Sequence, residues 1–123
     1  MRYIVHITTR GAWENAKLIG YYKGDTLETE GFIHCSNPDQ VVTVANTRFR
    51  TQRDLVLLAI DRTLVKPPVR EENFEGGDDL FPHIYGPLGT DSIIAVFNFS
   101  PDANGNFDLP EAMKSDVRFI ALF

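Results

Sequence analysis

The chain carries three histidines in 123 residues, and each lies in a stretch that reads as β-strand. His6 sits in Ile4-Val5-His6-Ile7-Thr8-Thr9, His34 in Gly31-Phe32-Ile33-His34-Cys35-Ser36, and His83 in Phe81-Pro82-His83-Ile84-Tyr85-Gly86. Side chains alternate faces along a strand, so His6 and Thr8 share one face and Val5 and Ile7 the other. In the same way His34 and Ser36 lie opposite Ile33 and Cys35, and Phe81, His83 and Tyr85 share a face. A strand buried on both sides carries apolar residues at all such positions. An imidazole beside a hydroxyl instead suits proton transfer and the binding of an oxygen-rich ligand. The expectation is that the three histidines converge on one cleft, with His34 and His83 as its catalytic candidates.

Each residue also has a plainer use. A strand histidine often bonds a backbone carbonyl and goes no further. Thr8 and Ser36 can equally finish a strand or cap the helix that follows. Three histidines can hold zinc, but zinc sites favour closely spaced ligands such as His-x-x-x-His, and none occurs here, so no metal is expected. The paired His-x-Thr and His-x-Ser are similar to the motifs of two-histidine phosphoesterases, although that fold sets its motifs in separate halves of a larger chain. Cys35 faces the expected core, a poor setting for a nucleophile. Arg48, Arg50 and Arg53 form the densest basic cluster, either a solvated helix end or a phosphate clamp in which Arg50 is favoured. Tyr85 can stack on a base or pack into the core.

These residues need elements to position them. Thr9 is placed to cap a helix over roughly residues 10–19, with Trp13, Ala16 and Ile19 as its apolar stripe and Gly20 as its stop. A turn at Lys23-Gly24-Asp25 leads to the second histidine strand. Asn37-Pro38-Asp39-Gln40 reads as a helix start with a capping box, followed by Val41, Val44, Ala45 and Phe49 at helical spacing. Residues 55–60 form a continuous apolar run, most simply a central strand. A short strand is expected over 69–73, a loop at Gly76-Gly77-Asp78-Asp79, a turn at Pro87 and Gly89, and a further strand over 92–99. The apolar end from Phe119 to Phe123 either docks as an edge strand or stays partly loose. The class is α+β, one domain over residues 1–123, with two helices near the N-terminus.

Composition narrows the partners. With 43% hydrophobic residues the chain has ample material for one core, and its net charge of −5 argues against a duplex nucleic-acid binder. One cysteine excludes an intramolecular disulfide, no run of about 20 apolar residues is present to span a bilayer, and the start lacks a secretory pattern. The cytoplasm is the expected compartment.

Taken in order, His6-Ile7-Thr8-Thr9, Gly31 to Ser36, Leu55-Val56-Leu57-Leu58 and Phe81-Pro82-His83-Ile84-Tyr85-Gly86-Pro87-Leu88 resemble the domain-of-unknown-function family numbered nine-five-two, over about residues 3–97. Residues 100–123 lie outside the resemblance, as a C-terminal extension. That family is grouped with the ADP-ribosyltransferase-like superfamily, so the resemblance implies a split, curved β-sheet enclosing an NAD cleft. It implies that His6 and Thr8 hold a ribose hydroxyl, and that His34 and Ser36 are similar to the His-x-Ser of the RNA 2'-phosphotransferase branch. Tyr85 would then meet a base or the nicotinamide ring, and Arg50 a phosphate. The glutamate that activates the acceptor in many such enzymes has no clear match, Glu71 and Glu72 being the nearest carboxylates. The expected function is binding of NAD or a related phosphorylated ribose ligand, with ADP-ribosyl or 2'-phosphate transfer. A non-catalytic nucleotide-binding module and a phosphodiesterase are the alternatives.

Overall fold

A computed structural model describes residues 2–73 and 76–122. Its first strand, β1 (Tyr3–Thr9), runs straight into α1 (Arg10–Ile19) because the Thr9 side chain accepts from the Ala12 N–H at 3.1 Å. Gly20 ends that helix in the left-handed conformation, with φ of 89°. Both signals act as the sequence indicates. The stripe differs at its end: Ala16 is buried and Trp13 packs beside it, whereas Ile19 is exposed.

The chain continues through β2 (Tyr21–Tyr22), a one-turn α2 (Leu27–Glu30), β3 (Ile33–His34) and α3 (Val41–Arg48). Half of the expected capping box forms, since Gln40 Oε1 accepts from the Asn37 N–H at 2.9 Å. The Asn37 side chain makes no cap, so residues 38–40 form a turn and the helix begins at Val41. The central strand β4 (Leu55–Asp61) is buried at every position. Then follow β5 (Val69–Glu72), β6 (Phe81–Ile84), β7 (Leu88–Gly89), β8 (Ile93–Phe99) and a one-turn α4 (Glu111–Lys114).

All strand pairs are antiparallel. One sheet has the order β1-β4-β8, a second β3-β6-β5, and a third pairs β2 with β7. The first two touch at a single bridge between Val5 and Ser36, closed by two backbone hydrogen bonds of 2.8 Å. Beyond that bridge the sheets part.

Two apolar clusters hold the elements. In one, Val5, Ile7, Leu55, Leu57 and Ala59 meet Val41 and Ala45 of α3 and, from the C-terminal end, Phe107, Met113 and Phe119. In the other, Ile4 and Ile60 meet Ala16, Tyr22, Ile33, Cys35, Ile84 and Leu88. Cys35 is 4% exposed, and burial pushes its thiol well above the ordinary range, in keeping with a packing role.

The C-terminal segment corrects one expectation. It is no edge strand: α4 and a 3-10 turn at Ile120–Leu122 carry it, and Phe119 is fully buried against Tyr3 and Phe97. Arg118 donates from Nη1 to the Ile94 carbonyl at 2.9 Å, on the outer edge of β8. Phe123 lies outside the described residues. Emptying the Phe119 site leaves a large cavity under the sheet, so Phe119→Ala should cost about 3–5 kcal/mol. Urea unfolding of both proteins measures it, and a loss below about 1 kcal/mol would mean that the tail is not docked.

Candidate functional site

The parting sheets enclose a cavity of about 980 Å³ whose lining includes His6, Thr8, His34, Ser36 and His83. All three histidines therefore face one space. Arg50 and Tyr85 are not among its lining residues. Arg50 is exposed and donates to the Asn104 carbonyl at 3.3 Å, and Arg48, two residues earlier at the end of α3, lines the cavity instead. Tyr85 meets the site through its hydrogen bond to Glu72, which does line the cavity.

His6 is held at both ring nitrogens. Nδ1 bonds the His34 carbonyl, and Nε2 lies 2.7 Å from the Tyr22 hydroxyl. A carbonyl only accepts, so Nδ1 carries the proton and, in the neutral ring, Nε2 takes the phenol proton. The Tyr22 and Thr8 hydroxyls are 2.9 Å apart, so Thr8 donates to the phenol oxygen and keeps its lone pairs for other partners. Burial lowers the His6 pKa to about 4 and raises that of Tyr22 to about 12, which keeps both groups neutral at ordinary pH. With both nitrogens engaged, His6 does not itself offer a ligand a nitrogen; it fixes Thr8 through Tyr22. Gly24 makes room for this phenol, because a Cβ there would stand 3.3 Å from the Tyr22 ring.

The same histidine props the cleft open. The Val5–Ser36 bridge would next pair Ile7 with His34, but the His6 ring enters between the strands and satisfies the His34 carbonyl. Alternation along an antiparallel strand turns the Ile7 N–H and C=O the same way as those of Val5, toward the gap.

The opposite wall comes from β3, β5 and β6. His34 and His83 are cross-strand partners with ring centroids 5.2 Å apart, and Phe32 stacks on His83 at 4.2 Å. His83 is only 4% exposed, which makes it the least accessible of the expected catalytic groups. Its Nδ1 lies 3.1 Å from Glu72 Oε1, and the Tyr85 hydroxyl donates to the same oxygen at 2.5 Å. The Tyr85 bond, ahead of that from His83, holds the Glu72 carboxyl below its ordinary range, while burial lowers the His83 pKa. Glu71 is turned away to Arg62 at 2.5 Å. Of the two glutamates named from the sequence, Glu72 is therefore the one at the cavity.

Tyr22 and Glu30 also reach the site. No spacing rule marks Tyr22, which follows a helix stop in a turn-rich stretch. Glu30 stands four residues before His34 across Gly31, and its Oε2 lies 3.0 Å from His34 Nε2. That spacing, with a glycine between, was the available signal. Among the described residues no group of His, Cys, Asp and Glu is arranged to hold a metal, and no helix is long and apolar enough to cross a membrane.

The buried neutral His6 has a measurable consequence. Its pKa is lower folded than the unfolded value of about 6.5, so the unfolded chain takes up the proton first on acidification. Its contribution is complete above pH ~6.5 and is lost as pH falls toward ~4, by about 3 kcal/mol in all. Denaturant unfolding between pH 7.5 and 4.5 should show this slope, and His6→Gln should flatten it. An equal slope in both proteins would show that another group is responsible.

The family described as "Protein of unknown function (DUF952)" matches residues 7–96. Among solved structures, the X-ray structure of protein CC0527 from Caulobacter crescentus is 32% identical, covering 87% of this chain and 94% of that one, with a TM-score of 0.78. The solution NMR structure of CC0527 is 31% identical over 96% of this chain and 99% of that one, with a TM-score of 0.76. No curated protein matches. On the extent of the family match and the likeness to CC0527, the chain belongs to the DUF952 family.

Proposed function

We propose that the cleft binds NAD or a related phosphorylated ribose ligand, in an ADP-ribosyltransferase-like fold, and supports ADP-ribosyl or 2'-phosphate transfer. The observation that carries this reading is the shared cavity: strands distant in sequence bring His6, His34 and His83 to one space of about 980 Å³. Ligand sites span about 300–1,000 Å³, so this one has room for a dinucleotide. Two antiparallel sheets that part around a cleft are also what such a fold requires.

The side chains divide the ligand between them. Thr8, its proton turned toward Tyr22, accepts from a ribose hydroxyl, a role that a phosphate oxygen cannot fill because it has no proton to give. Ser36 has no side-chain hydrogen bond among the described residues and lies across the bridge from β1. Arg48 and Lys23 are the cations in the lining, suited to phosphate, and Glu72 is the carboxylate nearest the buried histidine. Catalysis in this arrangement is positional and electrostatic, with the carboxylates stabilising the positive charge that develops at the anomeric carbon.

Calorimetric titration with NAD, ADP-ribose and a 2'-phosphorylated ribonucleotide tests the reading. His34→Ala should weaken the best ligand roughly tenfold to a hundredfold, about 1–3 kcal/mol, while Arg50→Ala should leave it near wild type. Equal binding by wild type and His34→Ala would refute the site. Cleavage of a cyclic phosphodiester without affinity for NAD would point to phosphodiester chemistry instead.

A further inference from the structure

Resting on that reading of the cleft, we infer that Glu30 and His34 form an acid–base dyad at its mouth, in which His34 Nδ1 takes a proton from water and Glu30 positions the ring, so that the bound nucleotide is hydrolysed at its N-glycosidic bond.

The geometry fixes the tautomer. Glu30 Oε2 lies 3.0 Å from His34 Nε2, and a carboxylate only accepts, so Nε2 bears the proton. The lone pair of the neutral ring then sits on Nδ1, which has no hydrogen bond among the described residues. The ring is held on other sides too: Phe32 lies edge-on at 4.8 Å, His83 at 5.2 Å, and the His34 carbonyl is tied to His6. Local backbone makes the pairing possible. Glu30 ends α2, and Gly31, with φ of 90°, turns the chain back so that His34 returns beside it. A residue with a Cβ is strained in that conformation.

Position selects the acceptor. His6 has both nitrogens engaged and His83 is buried, whereas the His34 side chain is 40% exposed and that of Glu30 48%. Solvent reaches His34 directly, at the edge of the cavity where Glu72 and Thr8 also stand. Water is therefore the nucleophile that this nitrogen meets.

The step balances without another reactant. The water oxygen forms a bond to the anomeric carbon as one of its protons passes to His34 Nδ1. The carbon–nitrogen bond breaks, and its electron pair neutralises the pyridinium nitrogen of the departing nicotinamide. The products are ADP-ribose, nicotinamide and a proton, which His34 returns to solvent.

The test uses the full chain with NAD as the probe. Wild type should bind NAD and release nicotinamide and ADP-ribose, with oxygen from labelled water at the anomeric carbon. Glu30→Gln should lower kcat roughly tenfold to a hundredfold and leave the calorimetric Kd within about twofold of wild type, as befits positioning. Glu30→Asp should recover part of the rate. Nitrogen NMR of labelled histidine should find the His34 proton on Nε2. NAD bound without cleavage overturns this inference and leaves the binding reading standing. Cleavage that Glu30→Gln does not slow, or a proton on Nδ1 of wild type, overturns it as well. Failure to bind NAD overturns this inference, and failure to bind ADP-ribose and the 2'-phosphorylated ribonucleotide as well overturns the binding reading.

Discussion

The structure turns on a hydrogen bond between a side chain and a backbone carbonyl. His6 Nδ1 bonds the His34 carbonyl just where the ladder between β1 and β3 would continue past the Val5–Ser36 bridge. A backbone carbonyl left unpaired inside a protein costs roughly as much as a lost hydrogen bond, so a side-chain partner here lowers the cost of parting the sheets. The imidazole does so and occupies the gap. Splitting, cavity and site thus meet at one residue. The ring's other nitrogen then sets Tyr22, and Tyr22 sets Thr8. One residue opens the space and orients a hydroxyl within it.

The two walls differ in electrostatic character. On the β1 side the chain His6–Tyr22–Thr8 is neutral throughout, burial holding the pKa of His6 at about 4 and that of Tyr22 at about 12. The other wall pairs carboxylates with histidines, Glu30 with His34 and Glu72 with His83. On the proposed reading, proton transfer is the work of that wall. The neutral wall is fitted to hold. This division assigns the three histidines separate work, although their sequence contexts look alike.

Much of the fold was legible because local signals agreed with tertiary demand. Thr9 and Gly20 bound α1, the apolar run of residues 55–60 becomes the central strand, and strand parity alone puts Val5 and Ile7 opposite His6. The convergence of the histidines was legible for the same reason, since polar faces on apolar strands must meet water or one another. What escaped depends on distance in three dimensions. Arg50 was favoured over Arg48, yet α3 ends at Arg48 and Arg50 lies beyond it in a turn, where it reaches the Asn104 carbonyl instead. His6 reads as a ligand-binding residue until its neighbours are known, and Tyr22 lies in a stretch with no period to mark it. The tail had no strand alternation that could be trusted, and it folds as helical turns around Phe119.

The Arg118 contact gives the C-terminal segment a meaning beyond packing. β8 is the outer strand of its sheet, and its sequence, Ile-Ile-Ala-Val-Phe-Asn-Phe, is apolar and uncharged. An open edge of that kind is a template on which other chains can add strands. Arg118, ion-paired with Asp116, covers this edge at the Ile94 carbonyl, and Phe119 anchors the segment that carries it. The family match stops at residue 96, short of both. The segment that reaches over this edge is therefore separate from the span that the family model matches, and it leaves one carbonyl fewer on which a foreign strand can pair.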